Sequence, residues 1–156
     1  MKTKGFTLIE TVIYAAIISM MIGFALATAY QLIQGSQNLN DKAIAEEEAN
    51  FIIRKIEWTL TGLVSVNLPS AGSSAPTLSV NKISFASNPL VFSADDERNI
   101  LLQRGLDPAT LLNSQNVAVN NLNFTHLAAV GNTPEAVKAS FQINGNSYET
   151  TIYVRK

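Results

Sequence analysis

A single carboxylate stands at the head of the longest apolar run in the chain. After Glu10 no charged residue occurs until Asp41. A carboxylate at the edge of such a segment is costly to bury, so it finds a cation or keeps its proton. Its chemistry is therefore pairing, and an amine is a fitting partner. Asp95, Asp96 and Glu97 are adjacent and can offer oxygen ligands to calcium; a solvated turn is the default and the expectation. His126 is the only histidine and there is no cysteine. It has neither a metal-ligand partner nor a catalytic one, and it is expected on the surface or at a sheet edge. The serines form no nucleophile elbow, and no glycine-rich phosphate cradle is present. Neither a catalytic constellation nor a metal or cofactor site emerges, so the chain reads as a non-enzyme with no small-molecule substrate.

The 156 residues suffice for one modest domain plus an anchor. A formal net charge of −1, with Lys138, Arg155 and Lys156 scattered or terminal, supports no nucleic-acid partner. The absence of cysteine excludes disulfides and thiolate metal sites.

The element that must position Glu10 is the uncharged segment Thr11–Ile33. As a helix it is roughly 34 Å long at 1.5 Å per residue, and a bilayer core needs about 20 residues. Lys2 and Lys4 favour a cytoplasmic amino terminus with the remainder outside. The segment is expected to span the membrane once. Thr11, Ala15, Ser19, Gly23 and Ala27 recur every four residues. They form a slanted seam of small side chains that permits close helix approach in lipid.

Lys4-Gly5-Phe6-Thr7-Leu8-Ile9-Glu10, followed by this helix, resembles the N-terminal signature of type IV pilins and the pseudopilins of type II secretion and competence systems. The likeness is strong over about the first 30 residues and elsewhere concerns layout alone. It implies a prepilin peptidase that cuts between Gly5 and Phe6 on the cytoplasmic side and methylates the new amino terminus at Phe6. It implies an assembly role for Glu10, paired with a neighbouring subunit's amino terminus. Cutting there removes Lys2 and Lys4 and takes the formal charge from −1 to −3. The partners implied are the peptidase, other pilin or pseudopilin subunits and the bilayer. The location implied is the bacterial cytoplasmic membrane, then an extracytoplasmic filament. The function implied is a structural subunit, minor pilin or pseudopilin. One departure is visible: Ala27 stands where major pilins often carry a helix proline.

Two other readings fit the amino terminus. Ala27-Thr28-Ala29 passes as a signal-peptidase site, and the segment also passes as a plain signal anchor. Either would make the chain a secreted or membrane-anchored binding domain, such as an adhesin, and neither gives Glu10 a role.

No proline occurs before Pro69, so one helix is expected from about Phe6 to Thr61. In its outer half Ala45, Ala49, Ile52, Ile53, Ile56, Leu60 and Leu63 share a face for packing on a following domain. Ile44, Phe51 and Trp58 repeat at seven-residue spacing on the opposite side. They meet either a neighbouring subunit or loops of the same chain. Pro69–Pro76 reads as a mobile loop. Strands are expected at Val64–Leu68, Leu78–Phe85, Leu90–Ser93, Ile100–Gln103 and Val117–Leu127, the last with a bulge or turn near Asn120-Asn121. A closing hairpin turns at Asn144-Gly145-Asn146. The expected fold is α+β, pilin-like: a long N-terminal helix on one small antiparallel sheet of four to six strands. The expected divisions are a leader at 1–5, a transmembrane half-helix at 6–34, an exported amphipathic half at 35–62 and a β domain at 63–156.

Overall fold

The computed structural model describes residues 5, 7–115 and 117–154. Helix α1 runs Leu8–Leu60. It starts where Thr7 caps it: the Glu10 N–H donates to the Thr7 carbonyl at 3.1 Å and to its Oγ1 at 3.4 Å. Thr7-x-x-Glu10 has the spacing of a capping box, in which a hydroxyl satisfies an orphan amide of the first turn. The helix ends at Gly62, whose φ of 67° suits the left-handed cap. The Gly62 carbonyl then accepts from Ile83 N–H at 2.9 Å.

Two compact units divide the chain, Met1–Ala43 and Ile44–Lys156. In the first, α1 is long and apolar enough to cross a membrane, with a mean hydropathy of 2.1 over its best window. Two of its hydroxyls are satisfied within the helix. Ser19 donates to the Ala15 carbonyl at 2.7 Å and Thr28 to the Phe24 carbonyl at 2.8 Å, which lets polar residues persist in an apolar segment.

Among the described residues the second unit holds the last turns of α1 and nine strands. These are β1 (Leu63–Leu68), β2 (Ser74–Ala75), β3 (Leu78–Lys82), β4 (Leu90–Ala94), β5 (Ile100–Arg104), β6 (Thr110–Leu111), β7 (Val119–Leu127), β8 (Ala136–Ile143) and β9 (Asn146–Tyr153). They form two antiparallel sheets, in the orders β1-β3-β4-β5-β6 and β2-β7-β8-β9. The α+β class is as expected, but the single sheet is not. Alternation shows that one face of a strand is buried; it does not show which sheet the strand joins.

Ala45, Ala49, Ile52, Ile56 and Leu60 of α1 are buried on the expected face. They form one core with residues of both sheets, including Leu78, Phe92, Ile100, Phe124 and Phe141. The Phe92 and Phe124 rings, 6.4 Å apart, join the two sheets. Burying side chains of this size stabilises by about 1.5–3 kcal/mol each.

The bulge lies where it was expected: the β7–β8 register shifts between Asn120 and Asn123, and Asn121 has a φ of 54°. The β8–β9 hairpin turns through Asn144 and Gly145, both at positive φ, the geometry that favours Asn-Gly. The mobile-loop expectation for Pro69–Pro76 is corrected. Ser74 and Ala75 pair with Thr125 and Phe124, and Gly72 N–H donates to the His126 carbonyl at 2.7 Å. The segment is a turn pinned to the second sheet through the two-residue strand Ser74–Ala75. Nothing in Pro-Ser-Ala-Gly-Ser-Ser-Ala-Pro signals this, because backbone pairing needs no particular side chain.

Candidate functional site

The first-turn residues are placed by the cap at Thr7. Glu10 is half-buried at the third helical position, where a carboxylate also suits the positive end of the helix dipole. The ion pairs among the described residues are His126–Glu135 and Lys138–Glu149, and neither involves Glu10. Gly5 is exposed, and a Cβ there would meet nothing within 4 Å. Phe6, the residue expected to be methylated, lies outside the described residues, as do Lys2 and Lys4.

Ala15, Ser19, Gly23 and Ala27 are all exposed on α1. A Cβ added at Gly23 would also meet nothing within 4 Å. The seam is thus open to another helix at every position. Leu8, Ile9, Phe24 and Leu32 are exposed as well, as a lipid- or helix-facing segment requires.

The stripe Ile44, Phe51 and Trp58 divides. Ile44 is partly buried against the core. With Phe51 and Leu112 it lines an open groove of about 620 Å³, bordered by Glu47, Glu48, Asn50 and Arg54. Phe51 is 37% exposed and carries the Lys55 ammonium 5.4 Å above its ring. Trp58 is covered in part by its own chain. The Phe85 ring meets it edge-on at 5.9 Å, and Lys82 Nζ sits 3.8 Å above it while donating to the Trp58 carbonyl. Partial burial there pushes the Lys82 ammonium below its ordinary value.

The acidic turn has a local job. Asp95 Oδ1 accepts from Asn99 N–H at 2.8 Å and Oδ2 from the Asn99 amide at 3.0 Å. These bonds hold its carboxyl below the usual range. Both oxygens therefore close the β4–β5 turn, while Asp96 and Glu97 are exposed. Among the described residues no cluster of three or more His, Cys, Asp or Glu is arranged to hold a metal.

His126 is corrected from a surface or sheet-edge residue to a buried one, at 4% exposure, on β7 between β2 and β8. Nδ1 lies 2.9 Å from the Pro69 carbonyl, and Nε2 contacts the Glu135 carboxylate. A carbonyl only accepts, so Nδ1 is the donor. The signal that would have found this is parity: Leu122, Phe124 and His126 alternate on one face of β7, and all three are buried. Asn113 was missed altogether. It is buried, accepts from Ile100 N–H at 2.7 Å and donates to the Val117 carbonyl at 2.7 Å.

Comparison with known proteins adds one match. Residues 1–26 match the family model of the prokaryotic N-terminal methylation motif, the prepilin-type signature. No curated protein and no solved structure matches the chain. The matched stretch contains Gly5, Phe6, Glu10, Ala15, Ser19 and Gly23. With an apolar N-terminal helix and an antiparallel α+β domain, it supports a pilin-like or pseudopilin subunit.

Proposed function

We propose that the chain is a minor pilin or pseudopilin, a structural subunit of a type IV pilus or a type II secretion-like filament. The observation that carries this reading is register. Gly5-Phe6, Glu10 and the start of an uncharged run follow one another within the stretch that matches the methylation motif, which supports this reading. Residues 1–5 hold the chain with its amino terminus in the cytoplasm. A prepilin peptidase cuts Gly5–Phe6 and methylates Phe6. The helix stays in the bacterial cytoplasmic membrane until assembly lifts the subunit into a filament outside.

Glu10 then pairs with the free amino terminus of a neighbour. In a low-dielectric bundle such a pair is favoured over a bare carboxylate. Ala15, Ser19, Gly23 and Ala27 let the neighbour's backbone approach. The Ile44–Phe51 groove and the exposed flank of Trp58 continue this contact in the exported part. On this reading residues 6–34 are the transmembrane half, 35–62 the exported half and 63–156 the β domain. The absence of a helix proline and the large β region favour a minor subunit over a major one.

N-terminal mass spectrometry of the protein from its own membrane tests the reading. A mature chain beginning at methyl-Phe6 is the expected result. A terminus just after Ala29, or an intact Met1, overturns it in favour of an ordinary signal peptide or a plain anchor.

A further inference from the structure

Leu106 is fully exposed, at 102%, and its backbone is fixed. It sits in the β5–β6 turn, which closes with the Asp107 N–H donating to the Arg104 carbonyl at 2.9 Å. Gly105 N–H donates to the Pro89 carbonyl at 2.8 Å, and the φ of Gly105 is 54°. A Cβ at Gly105 would meet the backbone of Ser87 and Asn88 at 3.3 Å. The turn is thus seated tightly on the segment before β4 and carries its leucine outward as a knob. Arg104 and Asp107, both exposed, flank the knob with opposite charges.

The groove on α1 has the matching pattern. Ile44, Glu47, Phe51 and Arg54 fall on one stripe, at spacings of three and four residues, and Leu112 completes the apolar floor. Glu47 and Arg54 stand on either side of Phe51, about 10.5 Å apart along the helix. Both are exposed, whereas Glu48 accepts from the Ser114 N–H at 3.3 Å. Among the described residues none of Glu47, Arg54, Arg104 and Asp107 takes part in an ion pair. The order Glu47–Phe51–Arg54 is the charge complement of Arg104–Leu106–Asp107. A chain cannot make this match with itself. Leu112 N–H donates to the Ile100 carbonyl at 2.9 Å, so the groove lies at the first end of β5. The knob lies at the other end, roughly 13 Å away at 3.3 Å per residue.

We propose that the groove receives Leu106 of a second copy of this chain, with Arg104 of that copy against Glu47 and Asp107 against Arg54. Charge selects the direction of seating. The reverse places Arg104 against Arg54 and Asp107 against Glu47, which is repulsive. Two different surfaces meet, so the contact is heterologous and repeats from copy to copy by a rotation and a shift. It needs no two-fold axis and therefore no reversal of α1 between copies. One turn in one groove buries less than the roughly 1,200 Å² of a stable interface. The copies must therefore be concentrated by their anchors. In this respect the inference rests on the function proposed above, and it names the surface that fills the groove assigned there to a neighbour.

The chain has no cysteine, so introduced cysteines in the full-length protein report the contact cleanly. Two differently tagged copies are co-expressed, one with Leu106→Cys and the other with Phe51→Cys, and their membranes are mildly oxidised. A disulfide joining the two tags is expected. The same substitution in both copies is expected to give little, because like positions lie apart in a heterologous contact. Asn50→Cys, beside the groove, is expected to join Leu106→Cys as well and spares the Phe51 ring. Ser147→Cys on β9 is the control and is expected to give little. Adding Arg104→Glu to the Leu106→Cys copy is expected to lose most of the adduct, and Glu47→Arg in the other copy to restore it. No mixed adduct at Phe51 or Asn50, or one no stronger than the control, overturns the proposal. A loss that Glu47→Arg does not restore in folded chains does the same. Adducts of Phe51→Cys with a different protein in place of the tagged copy assign the groove to another subunit and overturn it too. The N-terminal mass of the same samples separates the two readings. Chains processed at Phe6 that form no mixed adduct overturn the docking alone. Unprocessed chains that form it overturn the filament reading alone.

Discussion

The ring of His126 reaches across from β7 to Pro69, with Nδ1 2.9 Å from the Pro69 carbonyl. The backbone beside it repeats the tie: His126 N–H donates to the Ser73 carbonyl at 2.9 Å. A loop rich in small residues is thereby fastened to the second sheet. Replacing His126 by Ala removes the side-chain ties and leaves a buried gap. The expected cost is about 1–3 kcal/mol, seen as a lower denaturation midpoint. Amide exchange at Gly72 and His126 should quicken before the rest of the sheet, because those protons are held at the same junction.

At the other acidic centre the effect is set by pH. The Asp95 carboxyl is held below its ordinary value of 3.8 by bonds from Asn99. A depressed folded value means that the stabilising contribution is complete above the unfolded value and is lost as pH falls through the folded one. Asp95→Asn is expected to flatten the acid limb of the unfolding curve below about pH 4, with its small cost present at neutral pH and absent in acid. Because the turn is exposed, the effect is local: the Asp95 and Asn99 amide signals in an acid titration are the measurement.

Thr7 and Glu10 share the first turn of α1, and their roles can be separated. Thr7→Ala removes a capping acceptor, a loss of about 1 kcal/mol, and the rest of a long helix absorbs it. It is expected to leave filament incorporation intact. Glu10→Ala is expected to leave cleavage after Gly5 intact and to block incorporation. If Thr7→Ala blocked it equally, Glu10 would be serving the helix start and not a neighbour. Immunoblots of sheared filaments beside whole-cell processing assays distinguish these outcomes.

Phe51 and Trp58 are expected to differ although they belong to one stripe. Trp58 anchors Phe85 and Lys82 of its own domain, so Trp58→Ser should lower the melting temperature. Phe51 lines an open groove and touches Lys55. Phe51→Ser should change stability by less than about 1 kcal/mol and weaken assembly. A fully stable Phe51→Ser chain that assembles normally would remove this groove from the subunit contact.

Sequence alone determined the parts that depend on local pattern. The uncharged run after Glu10 is readable as a helix long and apolar enough to cross a membrane. The methylation motif over residues 1–26 is legible because it is linear; the roles of Gly5, Phe6 and Glu10 in it are the proposal above. The face Ala45–Leu60, the Asn144-Gly145 turn and the bulge near Asn121 follow from period and backbone preference. What only the tertiary structure decided is how separate segments meet. Two sheets form in place of one because hydrogen-bond partners are chosen by the backbone path, which alternation does not encode. His126 becomes buried because Pro69 and Glu135, 57 and 9 residues away, supply the bonds that a buried imidazole needs. Trp58 turns partly inward because Lys82 arrives at the end of β3 and Phe85 from the β3–β4 connection. The same holds for β9: its alternation was readable from the start, but its place at the edge of the second sheet exists only once β8 has taken its other side.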